Sequence, residues 1–274
     1  MISRLLIFLR TVRDRVPGLG AAQGLLREPW YRTLEVLFPR GIRTRLSGGD
    51  RVRLQPRFLG MRPEAYEEAL TAVLIRHLRP GLTVVDVGAH VGLHTLMFSS
   101  RVGPTGRVLA VEPSPANACL LRSHIAWNDR HNVEVIEAAV GDREDHVSFT
   151  SHPDATHPYG FANSLAYNTG GATNTVPMTT IDAICADRIP HLMKIDVEGA
   201  ELLALRGARE TLTRCAPILI VAIHPDPMRL LGTSPTELVA FLGTFGYKGR
   251  DLMGRCAIAP GFEEVVFTRP ARLE

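Results

Sequence analysis

Val84 to Thr95 reads VVDVGAHVGLHT, and the order of residue types within it decides the fold. Val84, Val85 and Val87 are apolar and β-branched, the composition of a strand covered on both faces. Gly88 and Gly92 punctuate the run, and the residues from His90 to Val102 then follow a helical pattern. A strand that passes through a glycine turn into a helix lets its backbone approach a ligand closely. The free N–H groups of the helix amino terminus point at the same place.

The two glycines are spaced G-x-x-x-G, not G-x-G-x-x-G. A dinucleotide fold uses its third glycine and the helix dipole to hold a pyrophosphate. Here the strand instead carries Asp86, whose charge repels phosphate and suits a cationic amino group. The next strand-like run, RVLAVEP, closes on Glu112, 20 residues beyond Gly92, where a carboxylate can accept both ribose hydroxyls. Taken singly, Asp86 can be a turn cap and Glu112 a solvated strand end. As an ordered pair on successive strands they ask for an amino-bearing nucleoside without phosphate, and S-adenosylmethionine meets both requirements. A nicotinamide-dependent dehydrogenase shares the βαβ pattern but is opposed by the missing glycine and by Asp86.

Outward from this stretch, strand and helix alternate. EAYEEALTAVLIRHL, from Glu64, is apolar at helical period and ends at Arg79-Pro80-Gly81. PANACLLRSHIAWN reads as a helix and NVEVIEAAVG as a strand. A second half continues with HLMKIDVEG, a helix from Ala200 to about Thr213, the strand PILIVAIHP, a helix from Pro235 to Phe245, and short strands near Tyr247–Leu252 and Glu263–Thr268 that can close as an antiparallel pair. The pattern predicts an α/β fold with a doubly wound, mostly parallel, Rossmann-like sheet. Residues 146–180 are polar and rich in Gly, Asn, Thr and His, too long for an ordinary connection, and read as a flap on the substrate side with strand-like ends VSFT and NTVPMTT. The nucleotide-binding domain is expected over 64–274, preceded by an extension over 1–63 in which IRTRL and RVRLQ flank Ser47-Gly48-Gly49-Asp50 as a β-hairpin.

Hydrophobic residues make up 45% of the 274 and charged residues 22%, which places the chain among ordinary globular enzymes. The four cysteines are widely spaced, without a CxxC pair, so neither a disulfide framework nor a zinc site is expected. No apolar run approaches the roughly 20 residues a membrane helix needs, and no cleavage signal follows the opening apolar stretch. A cytoplasmic location is expected. Residues 1–57 carry twelve arginines against Asp14, Glu28, Glu35 and Asp50, a balance of +8 in a chain of net +3. Leu5, Leu6, Leu9 and Val12 fall at helical spacing among these arginines, so residues 1–20 read as a basic amphipathic helix, packed on the domain or a partner, or lying on a membrane surface. The arginines precede the domain and are not interleaved with aromatics, which argues against a nucleic-acid groove.

DVGAHVGLHT, VEPSPAN, Asn163-Ser164-Leu165, Thr180-Ile181-Asp182, MKIDVEGAELLALRGA and the IHP after PILIVA together resemble the FkbM-type family of S-adenosylmethionine-dependent methyltransferases over roughly 64–250, with KIDVEGAE the most specific mark. The resemblance implies that Asp86, Gly88, Ala89, His90 and Gly92 surround the methionine part of the cofactor. It also implies that Glu112 and Pro113 lie at the ribose, Asp142 lies at the adenine, and the acceptor is a hydroxyl on a small molecule, sugar or glycolipid. Two departures stand out. His90 replaces a frequent asparagine, and Ala222 lies where the family carries a glutamate. The second leaves a catalytically silent nucleoside-binding or scaffold module as the competing reading.

Lys194 and Asp196 are two apart and share one face of a strand that helices cover, which is costly unless the charges are paired or used. Glu198 follows at the carboxyl end of that strand, where doubly wound sheets bind ligands, and His224 ends the next. Asp196, Glu198 and His224 are therefore expected to converge beside the methyl donor. His224 can act as a base, or Asp196 and Glu198 can hold a divalent cation that activates the acceptor.

Overall fold

A computed structural model describes residues 29–151, 172–256 and 263–269. The expected amphipathic helix of residues 1–20 and the middle of the expected flap, with Asn163-Ser164-Leu165, lie outside the described residues. A helix over 29–37 leads into the hairpin of β1 (Ile42–Arg45) and β2 (Arg51–Leu54), antiparallel with Ile42 opposite Leu54. Two short 3-10 turns follow, Pro56–Met61 and Pro63–Ala65, the second at the expected start of the next helix, so α1 spans only Glu68–His77. Proline opens both turns and Glu67 adopts a left-handed φ of +44°, which keeps the helix from extending backward.

The core of the fold follows the expected alternation through β3 (Thr83–Val87), α2 (Leu93–Val102), β4 (Arg107–Val111), α3 (Pro115–Trp127) and β5 (Val133–Ile136). α3 starts where Ser114 caps it, its side chain accepting from the Asn117 N–H at 3.4 Å, with Pro115 in the first turn. The expected strand NVEVIEAAVG divides, because β6 (Ala139–Val140) leaves the main sheet to pair with β8 (Ala172–Thr179), which also pairs antiparallel with β7 (Asp145–Ser151). The described ends of the flap are thus a second, three-stranded sheet.

After α4 (Ile181–Ile184) come β9 (Leu192–Ile195), α5 (Glu201–Arg206), α6 (Arg209–Cys215), β10 (Ile218–Ile223), α7 (Pro225–Leu230), α8 (Pro235–Thr244), β11 (Lys248–Asp251) and β12 (Glu263–Thr268). The single helix expected from Ala200 is broken at Gly207, where a Cβ would meet the Gly141 carbonyl oxygen at 2.1 Å. α7 was not expected: Pro225 ends the strand and also supplies the first residue of a helix.

The main sheet has the order β11-β12-β10-β9-β3-β4-β5, parallel except where β12 pairs antiparallel with both β10 and β11. Strand alternation separates its two faces. Val85, Val87, Leu109, Met193, Ile195, Leu219 and Val221 join the helices from α4 to α8, whereas Val84, Val108, Leu192 and Ile220 face α1 and α2. Leu46, Val52 and Leu54 of the hairpin share that second core with Leu74, Leu96 and Phe98. The described part of the amino-terminal extension is therefore packed into the domain. Among the described residues, no helix is long and apolar enough to cross a membrane.

Candidate active site

The glycine turn is held by the ends of three strands. The N–H groups of Gly88 and Ala89 both donate to the Val111 carbonyl at 2.9 Å. Gly88 has φ +82°, and a Cβ there would lie 1.9 Å from the Asp196 carbonyl oxygen, so β9 closes directly onto this residue. Gly92, φ +93°, lies against Leu121, whose Cδ1 a Cβ would meet at 2.4 Å. Between them His90 also takes a left-handed φ of +52°, which costs an L-residue about 1–2 kcal/mol. Burial pushes the His90 imidazole down to about 4, so it is neutral.

Glu112 is 4% exposed and ties the end of β4 to this turn. Its Oε2 accepts from the His90 N–H at 2.9 Å, and its Oε1 accepts from the Ser114 N–H at 3.0 Å and Asn117 Nδ2 at 3.2 Å. Burial pushes its carboxyl up to about 7 against these donors. A carboxylate oxygen accepts two hydrogen bonds, so Oε2 keeps capacity for a ligand hydroxyl. Pro113 beside it is partly exposed.

Asp86 is 1% exposed, with Oδ2 accepting from Thr95 Oγ1 at 2.6 Å. Its Oδ1 is buried without a hydrogen-bond partner among the described residues. Burial raises its carboxyl, offset by Lys194 on the paired strand. The buried acceptor at Asp86, the remaining capacity of Glu112 and a turn that excludes a side chain at Gly88 fit an amino-bearing nucleoside. Asp142 lies in an exposed turn after β6 and bonds Arg143 at 3.1 Å.

A second set of charged side chains converges at the carboxyl ends of β9 and β10. Lys194 Nζ donates to Asp196 Oδ2 at 2.8 Å. Burial alone would lower the Lys194 ammonium, but Asp196, Asp86 and Glu67 together raise it, and the same lysine holds Asp196 below the usual carboxylate range despite burial. His224 Nε2 is 3.8 Å from Asp196 Oδ1, and its Nδ1 is 2.8 Å from Glu201 Oε1. An ionised carboxylate only accepts, so Nδ1 carries the proton. Burial would lower His224, yet the hydrogen bond and charge of Glu201 raise it. Glu198 sits in the turn after β9 with φ +47°, where burial raises its carboxyl and His224 lowers it. Gly199 follows at φ +109°, and a Cβ there would meet Pro227 of α7 at 2.5 Å, so this turn is pressed against the helix that begins beside His224.

The structure thus brings Asp196, Glu198 and His224 together, as it does Gly88, Ala89, His90, Gly92 and Glu112. Several residues around them escaped sequence reasoning. Glu201, fully buried, accepts from the Gly199 N–H at 2.9 Å as well as from His224; its signal was an acid on the apolar face of ELLALR. Tyr66, hydrogen-bonded to Glu67, and His94, whose Nε2 lies 3.6 Å from Glu67 Oε2, approach from α1 and α2. Burial pushes His94 down to about 3. Among the described residues, no group of three His, Cys, Asp or Glu is placed to hold a metal ion.

A doubly wound, mostly parallel sheet of this order, with a glycine turn at the end of its central strand, is the Rossmann-like architecture, and sequence similarity makes the chain a methyltransferase dependent on S-adenosylmethionine. The methyltransferase FkbM domain family matches residues 86–248, and the chain belongs to that family. The 31-O-demethyl-FK506 methyltransferase FkbM of Streptomyces tacrolimicus is 30% identical over 217 residues, which cover 66% of this chain and 80% of that one. The hexuronic acid methyltransferase AglP of Haloferax volcanii is 25% identical over 181 residues, 64% of this chain and 67% of that one. A crystal structure of methyltransferase FkbM from Methylobacillus flagellatus superimposes with a TM-score of 0.47 and 19% identity over 78% of this chain, which spans 58% of that longer one.

Proposed function

We propose that the protein transfers a methyl group from S-adenosylmethionine to a hydroxyl of a small molecule, sugar or glycolipid. The observation that carries this reading is the adjacency of two unlike sites. A glycine turn tied to Glu112 lies beside a partly buried charged group of Lys194, Asp196, Glu201 and His224 on the neighbouring strand ends. The first suits the nucleoside, and the second suits an acceptor that must be oriented and lose a proton. Two relatives point the same way: one is named for 31-O-demethyl-FK506 and the other for a hexuronic acid.

When bound, S-adenosylmethionine supplies a methyl carbon on a positively charged sulfur, so the protein needs to place the acceptor in line and receive its proton. Gly88, Ala89, His90 and Gly92 would shape the methionine pocket, Asp86 Oδ1 would accept from the amino group, and Glu112, with Pro113 beside it, would accept from the ribose. Asp142 is the proposed adenine contact. On the acceptor side, Asp196 and Glu198 would receive hydrogen bonds from hydroxyls, and His224 would present Nε2 with its other nitrogen fixed by Glu201. A divalent cation held by Asp196 and Glu198 is the alternative way to activate the hydroxyl. Residues 1–20 would hold the enzyme at a membrane surface if the acceptor is a glycolipid.

The test is incubation of the full chain with S-adenosylmethionine and pools of hydroxylated metabolites, sugar acids and glycolipids, read by mass spectrometry. The expected product gains one methyl and keeps its amines unmodified. Cofactor binding with no methylated product from any pool would favour the scaffold reading that Ala222 raises.

A further inference from the structure

One row of side chains crosses the carboxyl edge of the sheet on the face toward α1 and α2. Asp86 pairs with Lys194, Lys194 pairs with Ile220, and two residues further along β10 Ala222 pairs with Glu264 of β12. Ala222 is a gap in this row, a methyl group where every neighbour toward the edge is charged. Directly opposed residues of an antiparallel pair have Cβ atoms about 4.5–5.5 Å apart on one face, so the longer Glu264 side chain covers the space above the alanine.

What surrounds Glu264 is polar on every side. Lys194 and Asp196 approach from β9, His224 from the end of β10, and Glu67 with its bonded Tyr66 from the start of α1. No hydrogen-bond donor among the described residues satisfies its carboxylate. A second group in the same place is also unspent: His94, 8% exposed, makes no hydrogen bond at Nε2, which stops 3.6 Å short of Glu67 Oε2. The half-buried carboxylate of Glu264 and the buried, unpartnered Nε2 of His94 thus both lie toward Glu67, a polar space at the carboxyl edge of the sheet.

We propose that Glu264, which β12 sets opposite Ala222 at the carboxyl end of β10, is the group that receives the acceptor's hydroxyl proton. The assignment rests on the methyl-transfer reading above. As the acceptor oxygen bonds the methyl carbon, the carbon–sulfur electron pair stays on sulfur and the hydroxyl proton passes to Glu264. The products are a methyl ether, a thioether nucleoside and a neutral carboxylic acid that returns its proton to water. Glu201 raises the pKa of His224, so His224 holds its proton more tightly than a free imidazole and is the poorer proton acceptor of the two. Burial and the nearby Glu67 carboxylate push Glu264 up to about 7, in the range where a general base works best.

The test needs no acceptor. The full chain, labelled with carboxyl-13C glutamate, is titrated by NMR in complex with S-adenosylmethionine and then with S-adenosylhomocysteine. These two nucleosides differ by one methyl and one positive charge. The Glu264 signal is assigned by its loss in Glu264→Gln, or in Glu264→Asp should the first variant fold poorly. A carboxylate facing the sulfonium methyl titrates at least about half a unit lower with the charged nucleoside than with the neutral one. The same midpoint in both complexes overturns the proposal while leaving the cofactor site intact. Failure of both nucleosides to bind by calorimetry removes the methyl-transfer reading, and this assignment falls with it.

Discussion

His224 is placed by the residue after it and conditioned by one far earlier in the chain. Pro225 restricts it to an extended backbone, φ −113° and ψ 86°, as the strand becomes α7, and buried Glu201 then fixes the ring through Nδ1. Glu201 raises the His224 pKa, so the imidazole keeps its proton at pH values where a free one has lost it. Removing that charge with Glu201→Gln should move any His224-dependent limb of the pH–rate profile toward lower pH. His224→Ala, which removes a hydrogen bond to the acceptor and not its base, should keep cofactor affinity and lower turnover by roughly 10-fold, with chelator having no effect. A cation mechanism reverses this: activity vanishes with chelator, returns with magnesium, and suffers more from Asp196→Asn than from His224→Ala. Gly88 permits a sharper statement, since its φ of +82° and the Asp196 oxygen 1.9 Å from a Cβ position both oppose a side chain. Gly88→Ala should cost on the order of 3 kcal/mol in denaturant unfolding; wild-type stability would mean β9 does not close on the turn.

At the scale of elements, one histidine connects the amino-terminal hairpin to the glycine turn. His124 of α3 accepts from the Gln55 N–H through Nε2 at 3.0 Å, and its Nδ1 lies 2.7 Å from the Val91 carbonyl. With Nε2 accepting, Nδ1 carries the proton and donates to Val91. Burial pushes this imidazole down to about 4, so the contribution to stability is complete above the unfolded value near 6.5 and is lost as pH falls toward 4. The protection factor of the Gln55 amide, its exchange rate taken relative to the intrinsic rate at each pH, should therefore fall on acidification across that window. His124→Phe should abolish the dependence and cost about 1–3 kcal/mol for the groups left unpaired; an unchanged profile would contradict the link. This connection was not legible in sequence, because it joins a residue after β2 to one in α3 and depends on packing. The alternation of strands and helices was legible, since glycine and proline mark most boundaries. The departure of β6 was not, as EAAVG runs on from β5 without a break in composition. Asp86, Gly88, Gly92 and Glu112 could be found from two adjacent strand ends. Glu264 needed the insertion of β12 between β10 and β11, which a reading of the last two strands as a simple pair does not supply.

For the whole molecule, the amino-terminal quarter divides at a physical boundary rather than a compositional one. Leu46, Val52 and Leu54 belong to the core that backs α1 and α2, whereas the sequence marks all of 1–63 as a single basic extension. Deleting residues 1–20 should leave affinity for S-adenosylmethionine unchanged, while deletion through Leu54 should lose it with the fold; if the short deletion alone removes cofactor affinity from a folded protein, those residues belong to the site. The central claim is that the turn from Gly88 to Gly92 and the carboxylate of Glu112 form a nucleoside site for a methyl donor. Titration calorimetry of the wild-type chain and of Glu112→Ala, with circular dichroism to confirm that the variant is folded, tests it most directly. S-adenosylmethionine should bind the wild type and NADH should not, and Glu112→Ala should weaken the nucleoside by about 1.5–3 kcal/mol. Equal affinity of the two proteins for S-adenosylmethionine, or binding of NADH in its place, would contradict the account.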